Sequence, residues 1–437
     1  MALGASIAAV VLLFGGVLSQ RSHASPLAVL AANAGATPEE AVLGRLFEGL
    51  SSGDTAGFIH TLERRVAHRP KDGDALAVLA LAYQQRARET GDPVYYRLSD
   101  TALRRASAAT GPAPLIAQGE ASLANTRHRF RDGLRLAREA ITLDPANGAA
   151  YGALGDALLN LGRYRQAFKV YDRMALKAPG IASFTRVANA RELIGRPKAA
   201  VAADELALEA DATIPEQIAW TTTQIGNINF NMGRLAAAAK AYRRALRRLP
   251  GYVHAEAGLA RVEASEGRYG EAIARLRRAV AVLPIPAYVI WLGDILHVAG
   301  HEEDARREYA LVGAIEKLYA ANGVRTELQT AVFDLDHDRN VADALTRAHA
   351  AYASAPSIYA EDALAWGLYR TGRCREARRH SVRALQLGTR DALLVFHRAM
   401  IERCLRSPSA RSWFRHALAI NPHFSFLWAP VARAQLR

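Results

Sequence analysis

The segment EGRYGEAIARLRRAVAVLP, Glu266 to Pro284, is a rewriting of two earlier ones: LGRYRQAFKVYDRMALKAP at Leu161–Pro179 and MGRLAAAAKAYRRALRRLP at Met232–Pro250. Each opens its motif with Gly-Arg, places Ala five residues after that Gly and reaches Pro seventeen residues after it. A pattern held at fixed spacing restricts the chain to a repeat array, in which each unit completes its core only by stacking on its neighbours.

Taking the Gly of Gly-Arg as position 15 of a 34-residue unit fixes a register. The unit 219–252 then has Ile225, Gly226, Gly233, Leu235, Ala238, Tyr242, Ala245 and Pro250 at positions 7, 8, 15, 17, 20, 24, 27 and 32. Small residues at 8, 20 and 27 belong where two antiparallel helices come closest. Gly at 15 lets the chain leave the first helix in a left-handed conformation. Large apolar residues at helical spacing fill the space between, and Pro at 32 stops the second helix. Extended both ways, the register yields about eleven units, starting at Glu39, Gly73, Pro114, Gly148, Ile181, Ala219, Val253, Pro286, Arg325, Ile358 and Asp391. Insertions of seven, four and five residues follow Gly73, Ile181 and Pro286, and are expected to lengthen a helix or a loop.

This pattern resembles the tetratricopeptide repeat family over nearly the whole chain after residue 38, and within it the bacterial exported members that are almost all repeat. The resemblance implies an all-α fold, a right-handed α-solenoid of helix-turn-helix repeats that binds a protein or peptide along its concave face. It implies no catalytic activity. The expected organisation is a signal peptide or N-terminal membrane anchor at 1–24, a linker at 25–38, the repeat superhelix at 39–424, and a C-terminal capping helix at 425–437.

The N-terminal expectation rests on Ala2–Ser19, which is uncharged throughout, and on the small residues of Ser22-His23-Ala24 before the expected cleavage point. Eighteen helical residues span ~27 Å, enough for a retained anchor as well. Either way the chain is expected to be exported or tethered at the cell envelope.

The formal charge is +14, and 50 of the 56 basic residues are Arg. Such a surface suits anionic partners. No zinc finger, RNA-recognition signature or Lys-rich tail supports nucleic acid, which is not expected as a partner. Arg243-Arg244, Arg247-Arg248, Arg277-Arg278, Arg306-Arg307 and Arg378-Arg379 fall in second helices, which face outward in this family. They read as a solvated face, with docking on an anionic membrane or polymer as the sharper alternative.

Signals for chemistry are sparse. No Gly-Lys dipeptide exists for a Walker-type phosphate loop. His301-Glu302-Glu303-Asp304-Ala305 begins like a zinc-protease helix, but Ala305 stands where the second His belongs. Asp334, Asp336, His337 and Asp338 form the densest acidic cluster, the only basis for the remote alternative of a metal-dependent enzyme. A solvated turn accounts for it without a metal, so neither metal nor cofactor is expected.

In the implied architecture, positions 2, 5, 9, 12 and 13 of each first helix face the concave side. They predict a peptide groove from Trp220 to Arg370, containing Trp220, Thr223, Asn227, Phe230, Asn231, Arg261, Asp294, His297, Phe333, Asp336, Trp366, Tyr369 and Arg370. Aromatic anchors mixed with amide side chains suit an extended backbone. The alternative is that these aromatics pack between repeats. Cys374 and Cys404, the two cysteines, fall at the start of one second helix and the end of the next first helix. Antiparallel packing brings such positions together, so an oxidising compartment could bridge them.

Overall fold

Each Gly-Arg turn joins a first helix to a second one, and the pair closes over a shared seam of small residues. The computed structural model describes residues 54–210 and 214–437. Among the described residues there are 22 helices and no strand. The expected signal or anchor segment, the linker and the expected first half of unit 39–72 lie outside them. No described helix is long and apolar enough to cross a membrane.

The register explains the seam. At position 24, Tyr171, Tyr242 and Tyr309 lie against the position-8 glycines Gly155, Gly226 and Gly293, where a Cβ would come 2.3–2.4 Å from the ring. Each hydroxyl then donates to the side chain at position 9: Asp156 at 2.9 Å, Asn227 at 2.8 Å and Asp294 at 2.9 Å. A small residue at 8 thus makes room for an aromatic ring, and a polar one at 9 satisfies its buried hydroxyl. The turn needs a left-handed residue whether or not it is Gly: where units lack it, His128, Asp338, Asn340 and Arg406 take positive φ instead. Side chains of Asn147, Ser357 and Asp391 cap the N-termini that follow the inter-repeat loops.

The insertions lengthen helices. Most helices have 13 or 14 residues, whereas Gly73–Thr90 has 18, Val94–Thr110 has 17, Pro215–Asn231 has 17 and Glu302–Ala321 has 20.

The solenoid also winds back onto itself. The unit from Gly148 meets the unit from Ile358, six units later: the Ile358 amide donates to the Tyr164 hydroxyl at 2.6 Å. The His128 ring lies 2.6 Å from the Arg325 carbonyl oxygen, and Asn421 donates to the Phe230 carbonyl at 2.9 Å. Tyr319, on the longest helix, donates to the Gly91 carbonyl at 2.9 Å. Apart from Tyr319, which reaches across from its helix, each contact sets an inter-repeat loop on the hairpin turn of the repeat five units before the one that the loop closes. The described residues form two superhelical turns, the second resting on the first.

Cys374 and Cys404 are joined in a disulfide, with their Cα atoms 6.3 Å apart. A loop closed across 30 residues restricts the unfolded chain enough to contribute about 3–4 kcal/mol in the loop-entropy model. Reduction is therefore expected to lower the urea midpoint of the last repeats. Two titratable thiols in unfolded, unreduced protein from its native compartment would show instead that the bridge does not form there.

Candidate functional site

Most side chains on the expected concave face are enclosed by the chain itself. Phe230 and Trp366 are fully buried, and Thr223, Arg261, Asp294, Phe333 and Asp336 nearly so. Thr223 donates back to the Ala219 carbonyl. Asn227, besides holding Tyr242, donates to Gln224 at 2.9 Å, and Asn231 donates to Glu192 at 3.1 Å. The Arg261 guanidinium lies 3.9 Å from the Phe230 ring centre and 4.3 Å from that of Trp291. Burial pushes its pKa down to about 10, so it remains a cation at neutral pH.

The ladder continues through the later units. His337 contacts Asp294 at 2.8 Å; burial opposes its charge, but this carboxylate outweighs it and the pKa stands above the usual histidine value. Phe333 packs beside Tyr309 and His337. Trp366 donates to Asp336 at 3.0 Å and stacks with Tyr369. Arg370 bonds the Leu335 carbonyl and pairs with Asp338. His297 alone of the expected set is exposed, paired with Glu302 at 2.8 Å. The open groove expected between Trp220 and Arg370 is thus an interior in this conformation. Its physical cause is the tight winding together with the C-terminal segment. Ser425, Leu427 and Trp428 press against Ile290, Trp291 and Asp294, leaving about 10 Å³ there, no more than one water needs.

Near Trp220 the interior stays open. A cavity of about 310 Å³ is lined by Gln85, Arg88 and Glu89 of the lengthened helix Gly73–Thr90. Glu216, Gln217 and Trp220 of Pro215–Asn231, the loop Leu249-Pro250-Gly251 with Tyr252, Val253 and His254, and the apolar Ile181 and Leu283 complete the wall. This is the small end of the range for ligand sites. Tyr252 donates to Glu216 at 2.9 Å, and the His254 ring meets the Tyr288 hydroxyl. Arg88 bonds the Gln85 side-chain oxygen, while Glu89 accepts from Thr55 and Gln85. Burial lowers the Arg88 pKa and raises that of Glu216. It also pushes His254 down to about 4, which leaves a neutral imidazole at pH 7. The wall therefore offers a cation, carboxylates, amides and an indole around one small space.

Of this wall, only Trp220 belongs to the site expected from the sequence; His254 holds position 2 of the unit from Val253. Arg88, Glu89 and Glu216 escaped because they sit on helices lengthened by the insertions, outside the 34-residue register. The seven-residue excess after Gly73 was the available signal.

The acidic cluster disperses. Asp334 pairs with Arg347, Asp336 with Trp366, His337 with Asp294, and Asp338 with Arg370. Among the described residues no three His, Cys, Asp or Glu side chains converge as a metal site would require. The outer Arg pairs are exposed, with Arg244, Arg277, Arg307 and Arg378 bonded to acids on their own or neighbouring helices.

Comparison with known proteins agrees with the repeat register. Two family models, each described as tetratricopeptide repeat, match residues 116–194, and 223–281 with 257–317. No curated protein matches the chain. Among solved structures, a thermophilic TPR protein of Thermus thermophilus is 19% identical, covers 44% of this chain and 98% of its own, and has a TM-score of 0.39. YrrB, titled a TPR protein with an unusual peptide-binding site, is 19% identical over 45% of this chain and 97% of its own, with a TM-score of 0.29. The Cut9-Hcn1 complex is 13% identical over 92% of this chain and 96% of its own, with a TM-score of 0.33. Helix pairs, left-handed turns and small-residue seams recur where the sequence models match, so residues 116–194 and 223–317 are tetratricopeptide repeats.

Proposed function

We propose that this chain is a non-catalytic protein-interaction scaffold of the cell envelope, and that it captures a short partner segment in the cavity beside Trp220. A role in protein–protein interaction comes with the repeat family. What carries the finer reading is that the cavity remains open where the neighbouring concave face is filled. Its size favours a chain end or a few side chains over a long extended peptide. Arg88 can meet a carboxylate, Gln217 and neutral His254 can exchange hydrogen bonds, and Trp220 supplies an apolar wall. Export or membrane tethering is part of the proposal and rests on the uncharged run Ala2–Ser19.

Peptides selected by display on the immobilised protein test this reading. Trp220→Ala is expected to weaken them at least about tenfold, or about 1.4 kcal/mol, with little change in melting temperature because Trp220 is only partly buried. Peptides that bind Trp220→Ala and Arg88→Ala as well as the parent would move the site elsewhere. The exposed outer Arg pairs favour one second reading, docking on anionic polymer or lipid. Steep loss of binding with added salt would select that reading, whereas cavity binding should persist.

A further inference from the structure

A cavity of about 440 Å³ opens in the seam between the two superhelical turns. The hairpin turn of the unit from Pro114 forms one side, with His128, Arg129, Arg131 and Asp132. Arg325 and the end of the helix Val341–Ser354 form the other. Three guanidinium groups thus face a single carboxylate in the lining. Departures from the repeat register bring them together: His128 stands in place of the turn Gly at position 15, with φ +58°, and Arg325 follows the five-residue insertion.

Each group is anchored by a bond that leaves donors over. The Arg325 N–H donates to the Arg127 carbonyl at 3.2 Å, and the Arg325 carbonyl oxygen accepts from Nδ1 of His128 at 2.6 Å. Burial pushes the His128 pKa down, so its ring is neutral at pH 7 and the arginines are the cations. Nε of Arg129 donates to Asp132 at 2.9 Å, and Nε of Arg325 to Glu327 at 3.3 Å. Arg131 reaches across the seam to the Ala353 carbonyl at 3.0 Å, where part of its charge offsets the negative end of that helix. Among the described residues no carboxylate pairs with Arg131. A guanidinium carries five N–H donors, so all three arginines keep most of theirs for a ligand.

We infer that this seam cavity binds a small phosphate, free or as diphosphate. A planar carboxylate offers two oxygens, which a single guanidinium fork satisfies; a tetrahedral phosphate offers oxygens on several sides and can bond three forks at once. Arg129 and Arg131 belong to the first superhelical turn and Arg325 to the second, so the bound anion ties the two together. The site is separate from the cavity beside Trp220 and from the outer Arg pairs, and rests on neither.

Calorimetric titration of the full chain with pyrophosphate and with inorganic phosphate, at constant ionic strength, tests this. One site per chain is expected, with a Kd below about 1 mM for the better of the two, which names the ligand within the class. Arg131→Gln and Arg325→Gln should each weaken it at least about tenfold. Both side chains reach solvent, so each variant should melt within a few degrees of the parent. If one melts early, Arg129→Gln takes its place. Arg243→Gln with Arg247→Gln, on the exposed outer face, should leave binding unchanged. No binding of either anion at about ten times that concentration overturns the inference. So does equal weakening by the outer-face pair, which would mark unspecific charge, or citrate that binds as tightly as the phosphates.

Discussion

Gly195→Ala should cost the protein about 2–5 kcal/mol, whereas Gly372→Ala should cost only about 1–2. Both glycines hold position 15 of their units, and their φ values are +71° and +79°. In isolation the two substitutions would impose the same left-handed strain on an L-residue. What differs is the neighbour. The Cβ at 195 would stand 2.2 Å from the Gly388 carbonyl oxygen, a backbone atom that can retreat only if the second superhelical turn lifts. The Cβ at 372 would meet open space. The overpacking term of about 1–3 kcal/mol therefore applies at one site and not the other. Urea unfolding followed by helical circular dichroism measures the difference, with Gly162→Ala expected to behave like the first and Gly267→Ala like the second. Equal losses at all four positions would mean that the superhelical turns do not rest on one another in solution.

That pair of glycines also marks how far the sequence could be read. Helix pairing, turn positions and small-residue seams follow from contacts within about one repeat, and a periodic sequence displays such contacts directly. Gly195 and Gly372 look alike in the register because their local duty is the same. Their difference arises from contact with the loop of a unit five places away, set by small rotations accumulated over the stack. No local pattern states that sum. The same limit governed the candidate site. Position 9 is enclosed, as Arg261, Asp294 and Trp366 show, whereas His297 at position 12 is exposed, so the expected face was filled once the winding closed. Arg88 and Glu216 reach the cavity from lengthened helices that the register treated as interruptions. Asp204 shows a further limit. It takes the place of the position-24 tyrosine in its unit, opposite Asn189, and burial holds its carboxyl well above the usual range. Periodicity marks that departure but does not say what the site does with it.

Trp366→Ala is the second substitution with a large expected effect, and it separates a groove from a core. As an anchor in an open groove, Trp366 would be removable with loss of binding and little loss of stability. Instead the side chain has no exposed surface. Its ring stacks with His397 at 4.1 Å and Tyr369 at 4.8 Å, and meets Trp428 of the C-terminal helix edge-on at 5.6 Å. Its Nε1 donates to Asp336 at 3.0 Å, so truncation also strips a buried carboxylate of a partner. Removing a buried tryptophan costs about 3–5 kcal/mol, and the loss should fall on the last repeats, where this cluster joins two first helices to the C-terminal helix. Trp366→Phe keeps an aromatic ring but not the donor, and should cost about 1–3 kcal/mol for the unsatisfied acceptor. Hydrogen exchange would locate the loss: amides of Ile358–Arg370 and Ala392–Cys404 should lose protection while those of Gly148–Asn160 keep theirs. A Trp366→Ala protein with parental stability and no peptide binding would place this indole in an open groove, and would mean that the C-terminal helix leaves the concave face in solution. Loss of protection confined to the last repeats, with peptide binding at Trp220 retained, is the outcome this packing requires, because the cavity is walled by units that precede Trp366 and draws none of its lining from that cluster.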